Sequence, residues 1–479
     1  MKINRKKYLD KVQACWTGKN IGGTMGTPYE GKKEMQNISG FNSPKGEPLA
    51  NDDLDLQLVW LRAIEDRGIR QVTASVLAEY WINSIPPYWN EYGICKMNMK
   101  SGMLPPYSGE YHNGKWKNSN GAWIRTEIWA CIFPGIPDLA VEYAYRDACV
   151  DHGHGEGTYA AMFVAAMESM AFYERDIRKL IDKGLSFIPE DCKTAKSIKL
   201  AISLYDGGTD FVTARNAIVN ENEDLGWFQA PANVSYVILG LLYGEGDYKK
   251  SMIHAINCGD DTDCTGATIG SLMGIIGGMD CVPKDWADYI GDRIISIAVD
   301  TSSWDFVKSC SELTRHVYEL VPSSLKAYNI YVEYTDGEED YNGISSLPDM
   351  RNADLLRAHT GLSQELPDLI WAKGRVEFDK CEVKPGDTIN LKFIMQSTMP
   401  DFKEVYVKLI LPEGWTADKD EINISLTEWC KRWFSLPSFE GSIKVTVGEK
   451  TEIDNKIQIL LSSPTRPTVG MAQLIIRQA

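Results

Sequence analysis

Sixteen consecutive residues, Cys264 to Met279, carry no charge and place glycine at 266, 270, 274 and 278. On a helix this four-residue repeat forms one bare stripe that a second helix can approach closely. The run is short of the ~20 apolar residues that span a bilayer. It therefore predicts a buried central helix of an all-α bundle. Helical spacing recurs at Leu9, Val12 and Trp16, and at Leu54, Leu58, Leu61 and Ile64. Asp138 to Arg175, broken around His152, and Val234 to Tyr243 read as further helices. Beyond residue 365 the period changes to two, as in Ile389-Asn390-Leu391-Lys392-Phe393 and Val405-Tyr406-Val407-Lys408-Leu409. Turn signals such as Pro385-Gly386-Asp387 and Pro412-Glu413-Gly414 separate these runs. The expected organisation is a helical domain, 1–365, followed by a small all-β sandwich, 366–479. The acidic stretch Asp336 to Gly343 between them is either a linker or an excursion over the helical part.

The net charge of −16 argues against nucleic acid, which needs a basic face, and against anionic membranes. It is compatible with binding cations. The N-terminus lacks the apolar core of a secretory signal. The 11 cysteines are odd in number and form no CxxC pair. Both features lead us to expect a cytoplasmic protein with reduced thiols.

Two acidic clusters stand immediately before helical segments: Asn51-Asp52-Asp53, and Asp260-Asp261-Thr262-Asp263 ahead of the glycine stripe. Carboxylates favour a helix N-terminus, so simple capping explains a lone pair. The second cluster is too dense for capping alone, because such charges repel unless a cation sits among them. Carboxylate, amide and hydroxyl oxygens suit Mg²⁺, Mn²⁺ or Ca²⁺. Five glycines fall within Gly18 to Gly31, read as a glycine-rich turn, with Glu30 as its only acid. No nucleotide-loop pattern fits it. Asp151-His152-Gly153-His154 opens another helix, with histidines that bind a ligand's oxygens or cap the helix. Asn118 to Arg125 is a loop of small polar residues, open to backbone contact with a phosphate or sugar, and ends on an arginine.

In chain order, Gly22 to Gly31, Asn51 to Leu54, Ser119 to Arg125, Asp151-His152 and Gly259 to Cys264 resemble the five motifs of the ADP-ribosylglycohydrolase family. Its founding members reverse protein ADP-ribosylation. The resemblance covers about residues 5 to 320 and implies a mainly α fold whose central cleft holds one or two Mg²⁺ ions. By position, Asp52, Asp53, Asp261 and Asp263 match the metal-binding aspartates. Asn51 stands where the family has a metal-binding Thr, and Cys264 where it has a second; a thiol is a poor partner for a hard cation. Glu30 matches the catalytic glutamate, with Asp261 and Asp263 assisting it, and Gly23 stands where the family usually has Asp. Ser119, Asn120, Gly121, Arg125, His152 and His154 are the implied substrate contacts. The implied reaction is hydrolysis of a furanosyl bond in a free or protein-linked ADP-ribosyl or sugar substrate.

The aromatic-rich segment from 80 to 135, with Trp81, Tyr88, Trp89, Tyr92, Tyr107, Tyr111, Trp116, Trp123 and Trp129, reads either as packing or as a stacking wall on a long structured loop. Leu411-Pro412-Glu413-Gly414-Trp415 resembles a strand and turn of the Ig-like modules attached to bacterial carbohydrate-active enzymes. Two alternatives therefore stand beside the founding activity. One is a carbohydrate or nucleoside glycosidase. The other is an inactive binding or structural protein.

Overall fold

The computed structural model describes residues 1–302, 304–341, 361–399, 403–426, 438–464 and 466–479. A short strand β1 (Lys2–Asn4) leads into α1 (Arg5–Gly26). Then follow α2 (Asp52–Arg67), α3 (Ala74–Ser84), α4 (Asn90–Lys100), α5 (Tyr107–Glu110) and α6 (Glu127–Ile132). Next come α7 (Pro137–His152), α8 (Glu156–Met170), α9 (Ile177–Leu185), α10 (Lys193–Asp206) and α11 (Phe211–Glu221). The helical part closes with α12 (Ala230–Gly244), α13 (Tyr248–Asn257), α14 (Thr262–Gly277), α15 (Lys284–Ile290) and α16 (Cys310–Lys326). None of the described helices is long and apolar enough to cross a membrane.

The partner of the glycine stripe is α1. A Cβ on Gly22 would come within 2.1 Å of the Gly266 backbone, and one on Gly18 within 2.2 Å of the Gly270 carbonyl. Gly26 lies against Thr262, while Ala14 faces Gly274 at the other end, so the helices run antiparallel. Backbone contact this close leaves no room for side chains. Residues 18 to 26 are thus helix rather than the expected glycine-rich turn, because glycines at 18, 22 and 26 repeat the period of the opposing stripe. Thr262 Oγ1 donates to the Gly26 carbonyl at 2.8 Å and pins the end of α1 to the start of α14.

The acidic stretch is an excursion as far as it is described. Strand β2 (Glu333–Thr335) pairs in parallel with β1, and Lys2 and Asp340 exchange backbone hydrogen bonds. Asn342 and Gly343 lie outside the described residues. The C-terminal part comprises β3 (Leu362–Glu365), β4 (Ala372–Phe378), β5 (Glu382–Val383), β6 (Thr388–Ser397) and β7 (Lys403–Ile410). It continues with β8 (Thr416–Ala417), β9 (Glu421–Leu426), β10 (Ser438–Thr446), β11 (Asp454–Ser462) and β12 (Gly470–Gln478). One sheet runs β3-β4-β6-β10-β8 and the other β5-β12-β11-β7-β9. Val376, Phe393 and Val445 of the first share one apolar core with Val407, Ile459 and Leu474 of the second. β3 takes in Leu362–Glu365, which the sequence reading placed in the helical part.

Helical residues enter the sandwich core. Met103, Tyr107 and Tyr111 pack there, and Tyr107 Oη donates to the Ile475 carbonyl at 3.1 Å. In return, Glu365 Oε2 accepts from Ser75 N and Oγ, both at 2.9 Å, at the first turn of α3. The segment from 80 to 135 is therefore a set of short helices wedged between two cores rather than a long loop.

Candidate functional site

The α1–α14 seam decides where the acids meet. Because Gly26 abuts Thr262, the chain leaving α1 delivers Glu30 to the point where Asp261 and Asp263 enter α14. Ligand oxygens of Glu30, Asp261 and Asp263 lie within 4.8 Å of one another, and so do ligand atoms of Asp53, Asp263 and Cys264. Asp263 is common to both groups. Residues more than 200 positions apart in sequence thus converge, with Glu30 at the open edge and the aspartates buried.

The surrounding amides orient these carboxylates. Asn120 Nδ2 donates to Asp261 Oδ2 at 2.7 Å, and Trp123 Nε1 holds Asn120 Oδ1 at 3.0 Å. Asn51 Nδ2 donates to Asp263 Oδ2 at 3.1 Å, while Asn51 Oδ1 caps α2 through the Asp53 N–H at 2.7 Å. Asn51, expected as a metal ligand, is thus engaged through both ends of its amide. It also fills the space above Gly23, where an added Cβ would stand 2.8 Å from Asn51 Nδ2. Gly23 thus leaves the room that the Asn51 amide takes. Tyr92 Oη donates to Asp52 Oδ2 at 2.8 Å.

Four buried oxygens in this cluster, Asp53 Oδ1 and Oδ2, Asp261 Oδ1 and Asp263 Oδ1, accept no hydrogen bond among the described residues. Burial, and then the Asp263 charge, push the Asp261 carboxyl well above its ordinary range. Burial does the same to Asp53, although Lys19 opposes it. The Asp263 charge, partial burial and the Asp52 charge raise Glu30 to about 8. Buried carboxylates with orphaned oxygens require protons or a cation. The donor set is mostly hard oxygen, which fits Mg²⁺ or a similar dication.

A second buried layer lies behind this one. Arg125, expected to contact substrate, is fully buried. Its Nε donates to Asp147 Oδ1 at 3.0 Å, and its terminal nitrogens reach Asp151 at 2.8 and 3.1 Å and the Gly121 carbonyl. His152 is also fully buried, with Nδ1 2.9 Å from Asp151 Oδ1 and Nε2 3.1 Å from Ser119 Oγ. Ser119, Asn120 and Gly121 are buried as well. None of these five residues is open to solvent, so they shape the loop that carries Asn120. The His154 ring faces Glu110 and Tyr145 instead of the acidic cluster.

Sequence reasoning missed Lys19 and Glu127. Lys19 Nζ lies 2.7 Å from Glu127 Oε1 and 3.8 Å from Asp53 Oδ1, with all three side chains buried. Glu127 is the one charge of α6, and Lys19 is the one charge in the second half of α1, among its glycines; that was the available signal. Asn233 was also missed. It holds Asp260 Oδ2 at 3.1 Å and the Asp261 N–H at 3.2 Å. Of the aromatic segment, Trp81, Tyr92, Tyr107, Tyr111, Trp123 and Trp129 are buried. Only Tyr88 and Trp89 among the nine are exposed, and Trp89 stacks on the Tyr92 that holds Asp52. Trp227 and Phe228 stack on each other beside Gly31, next to Glu30, and had not been singled out.

The sequence model of a family described as ADP-ribosylglycohydrolase matches residues 4–314. None of the curated proteins matches the chain. Among solved structures, an ADP-ribosylglycohydrolase-related protein complex is similar at 18% identity and a TM-score of 0.47, covering 67% of this chain and 99% of that one. An alkylpurine DNA glycosylase of Pseudomonas fluorescens, bound to DNA with an abasic-site analogue, is similar at 11% identity and a TM-score of 0.14. That alignment covers 74% of this chain and 97% of the other.

Proposed function

The chain belongs to the ADP-ribosylglycohydrolase family, a family of hydrolases, and on that premise we propose that it is a metal-dependent glycohydrolase acting on an ADP-ribosyl or related furanosyl bond. The observation that carries the reading is the meeting of Glu30, Asp261 and Asp263 within 4.8 Å, beside buried oxygens with no donor. Asp261, Asp263, Asp53 and Asp52 would hold one or two ions, Mg²⁺ first among the candidates. Bound there, the ion supplies a Lewis-acidic anchor for vicinal hydroxyls of the substrate.

The chain's own residues do the rest. Glu30 stands at the open edge of the cluster, where its carboxyl can exchange a proton with water or the leaving group. Asp261 and Asp263 place negative charge beside the forming oxocarbenium-like centre. Asn120 and Asn51 keep those carboxylates aimed, and the Arg125–Asp151–His152–Ser119 chain holds the loop that carries Asn120. Trp89, Trp227 and Phe228 offer aromatic surface at the rim for a base or sugar ring. The sandwich is read as an Ig-like accessory module, which its two five-stranded sheets support.

The test is a panel of ADP-ribosyl-arginine, ADP-ribosyl-serine, O-acetyl-ADP-ribose, nucleosides and aryl furanosides, each with Mg²⁺ or EDTA. Magnesium-dependent release from an ADP-ribosyl compound is expected. Glu30→Gln should lower turnover ~10²–10⁴-fold with little change in KM. Cleavage of aryl furanosides alone moves the protein to the carbohydrate reading. Binding of ADP-ribose without turnover of any compound makes it a scaffold.

A further inference from the structure

We propose that the centre holds a single divalent cation, on Asp261 and Asp263 at the side that Glu30 borders, and that the buried ammonium of Lys19 supplies the positive charge in the other half. The inference rests on the reading of the cluster as a metal centre.

The two overlapping ligand groups are not equivalent. Glu30, Asp261 and Asp263 offer carboxylate oxygens only. The other group, Asp53 with Asp263, is completed by the Cys264 thiol, a soft donor that hard dications disfavour. It also has a resident cation, because Lys19 Nζ stands 3.8 Å from Asp53 Oδ1.

Lys19 cannot swing away. Its side chain is fully buried, and Glu127 Oε1 holds it at 2.7 Å. Glu127 is itself fixed, since Gln57 Nε2 donates to Oε2 at 2.8 Å and Ser271 Oγ to Oε1 at 2.9 Å. A dication bound to Asp53 would face this ammonium across one carboxylate in a medium that screens poorly. In the first group, by contrast, Asp261 and Asp263 receive neutral amide donors from Asn120 and Asn51. Both Asp53 oxygens accept no hydrogen bond among the described residues, so Lys19 is the nearest compensation for that charge.

The full-length protein, stripped with EDTA, is titrated with Mn²⁺ and followed by equilibrium dialysis with metal analysis and by electron paramagnetic resonance. One Mn²⁺ per chain with an isolated six-line spectrum is expected. Two ions per chain, or an exchange-coupled spectrum, overturns the inference and leaves the metal reading intact. No binding overturns both. Asp261→Asn should weaken Mn²⁺ binding roughly 100-fold or more and Asp53→Asn less than about tenfold, by analogy with the range for outer-shell groups. The reverse order places the ion on Asp53 and overturns the inference. Lys19→Met combined with Glu127→Gln removes both buried charges together and should raise the count to two. An unchanged count of one shows that Lys19 is not what limits it. If that double variant does not fold, the wild-type count and the two aspartate variants still decide the question.

Discussion

Two buried ionic clusters sit one behind the other, and they are built on opposite rules. In the rear one, Arg125 faces Asp147 and Asp151, His152 faces Asp151 and Ser119, and every nitrogen of the guanidinium donates a hydrogen bond. In the front one, Glu30, Asp52, Asp53, Asp261 and Asp263 crowd together with Lys19 as the one ammonium paired to any of them among the described residues. The rear cluster resembles a structural rivet. The front cluster gathers like charges whose repulsion either protons or a cation relieves. The rear cluster is matched in charge and wholly buried, whereas the front one is unmatched and opens to solvent at Glu30.

The largest expected effect tests the rear cluster. Arg125→Met leaves Asp147 and Asp151 buried without their cation and should destabilise the fold by about 3–5 kcal/mol in urea or guanidinium unfolding. A loss under 1 kcal/mol would mean that this cluster is not a rivet. Next comes the ligand expected at the front. Mg²⁺ at a hundred times its dissociation constant should stabilise the wild type by about 2.7 kcal/mol, reversibly by EDTA, and Arg125→Met should keep most of that increment if it folds. A flat thermal shift would remove the metal from the account.

A smaller effect carries the opposite sign. Asp261→Asn, which keeps a side-chain oxygen facing Asn120, should raise metal-free stability by about 1–2 kcal/mol, because it removes charge from a crowded anionic site. The same variant should abolish Mg²⁺ stabilisation. If it lowers metal-free stability, the front cluster is matched after all.

The smallest effect is pH dependence. The front carboxyls titrate above their unfolded values, with Glu30 at about 8 through Asp263, partial burial and Asp52. The folded state therefore binds more protons than the unfolded one across the interval from about pH 4 to pH 8. Metal-free stability should be fully present below that interval and fall as pH rises through it. For exposed Glu30 the change is on the order of 1 kcal/mol or less after screening. Asp151 has the opposite sign: burial raises it, but Arg125 and His152 outweigh that and hold it below its ordinary value. Its contribution should persist at neutral pH and disappear only in acid. Melting temperatures from pH 5 to 9, with and without Mg²⁺, separate the two. A metal-free slope that Mg²⁺ does not flatten would assign it elsewhere.

The periodicities were legible without a structure. The stripe at 266, 270, 274 and 278, the Asn51–Asp53 and Asp260–Asp263 clusters ahead of helices, and the alternating strands beyond residue 365 all announce local geometry, because helix and strand periods act within a few residues. The five motifs in order also carried the family. The glycines at 18, 22 and 26 were equally periodic, yet their density looked like a turn until a second stripe was opposite them. The aromatic segment was undecidable alone, because a buried Trp123 and an exposed Trp89 have the same local pattern.

Sequence by itself therefore determined that the segment from Cys264 is helical, that the segments beyond residue 365 alternate, and where acids gather at helix starts. Only the tertiary structure decided which acids share a site, since that depends on the antiparallel α1–α14 seam bringing Glu30 to Asp261 across the bundle. It also decided that Arg125 and His152 face inward while Asp261 and Asp263 keep orphaned oxygens. The physical reason is range. Backbone periodicity and capping are settled between near neighbours, whereas the compensation of a buried charge depends on whatever distant segment packs against it.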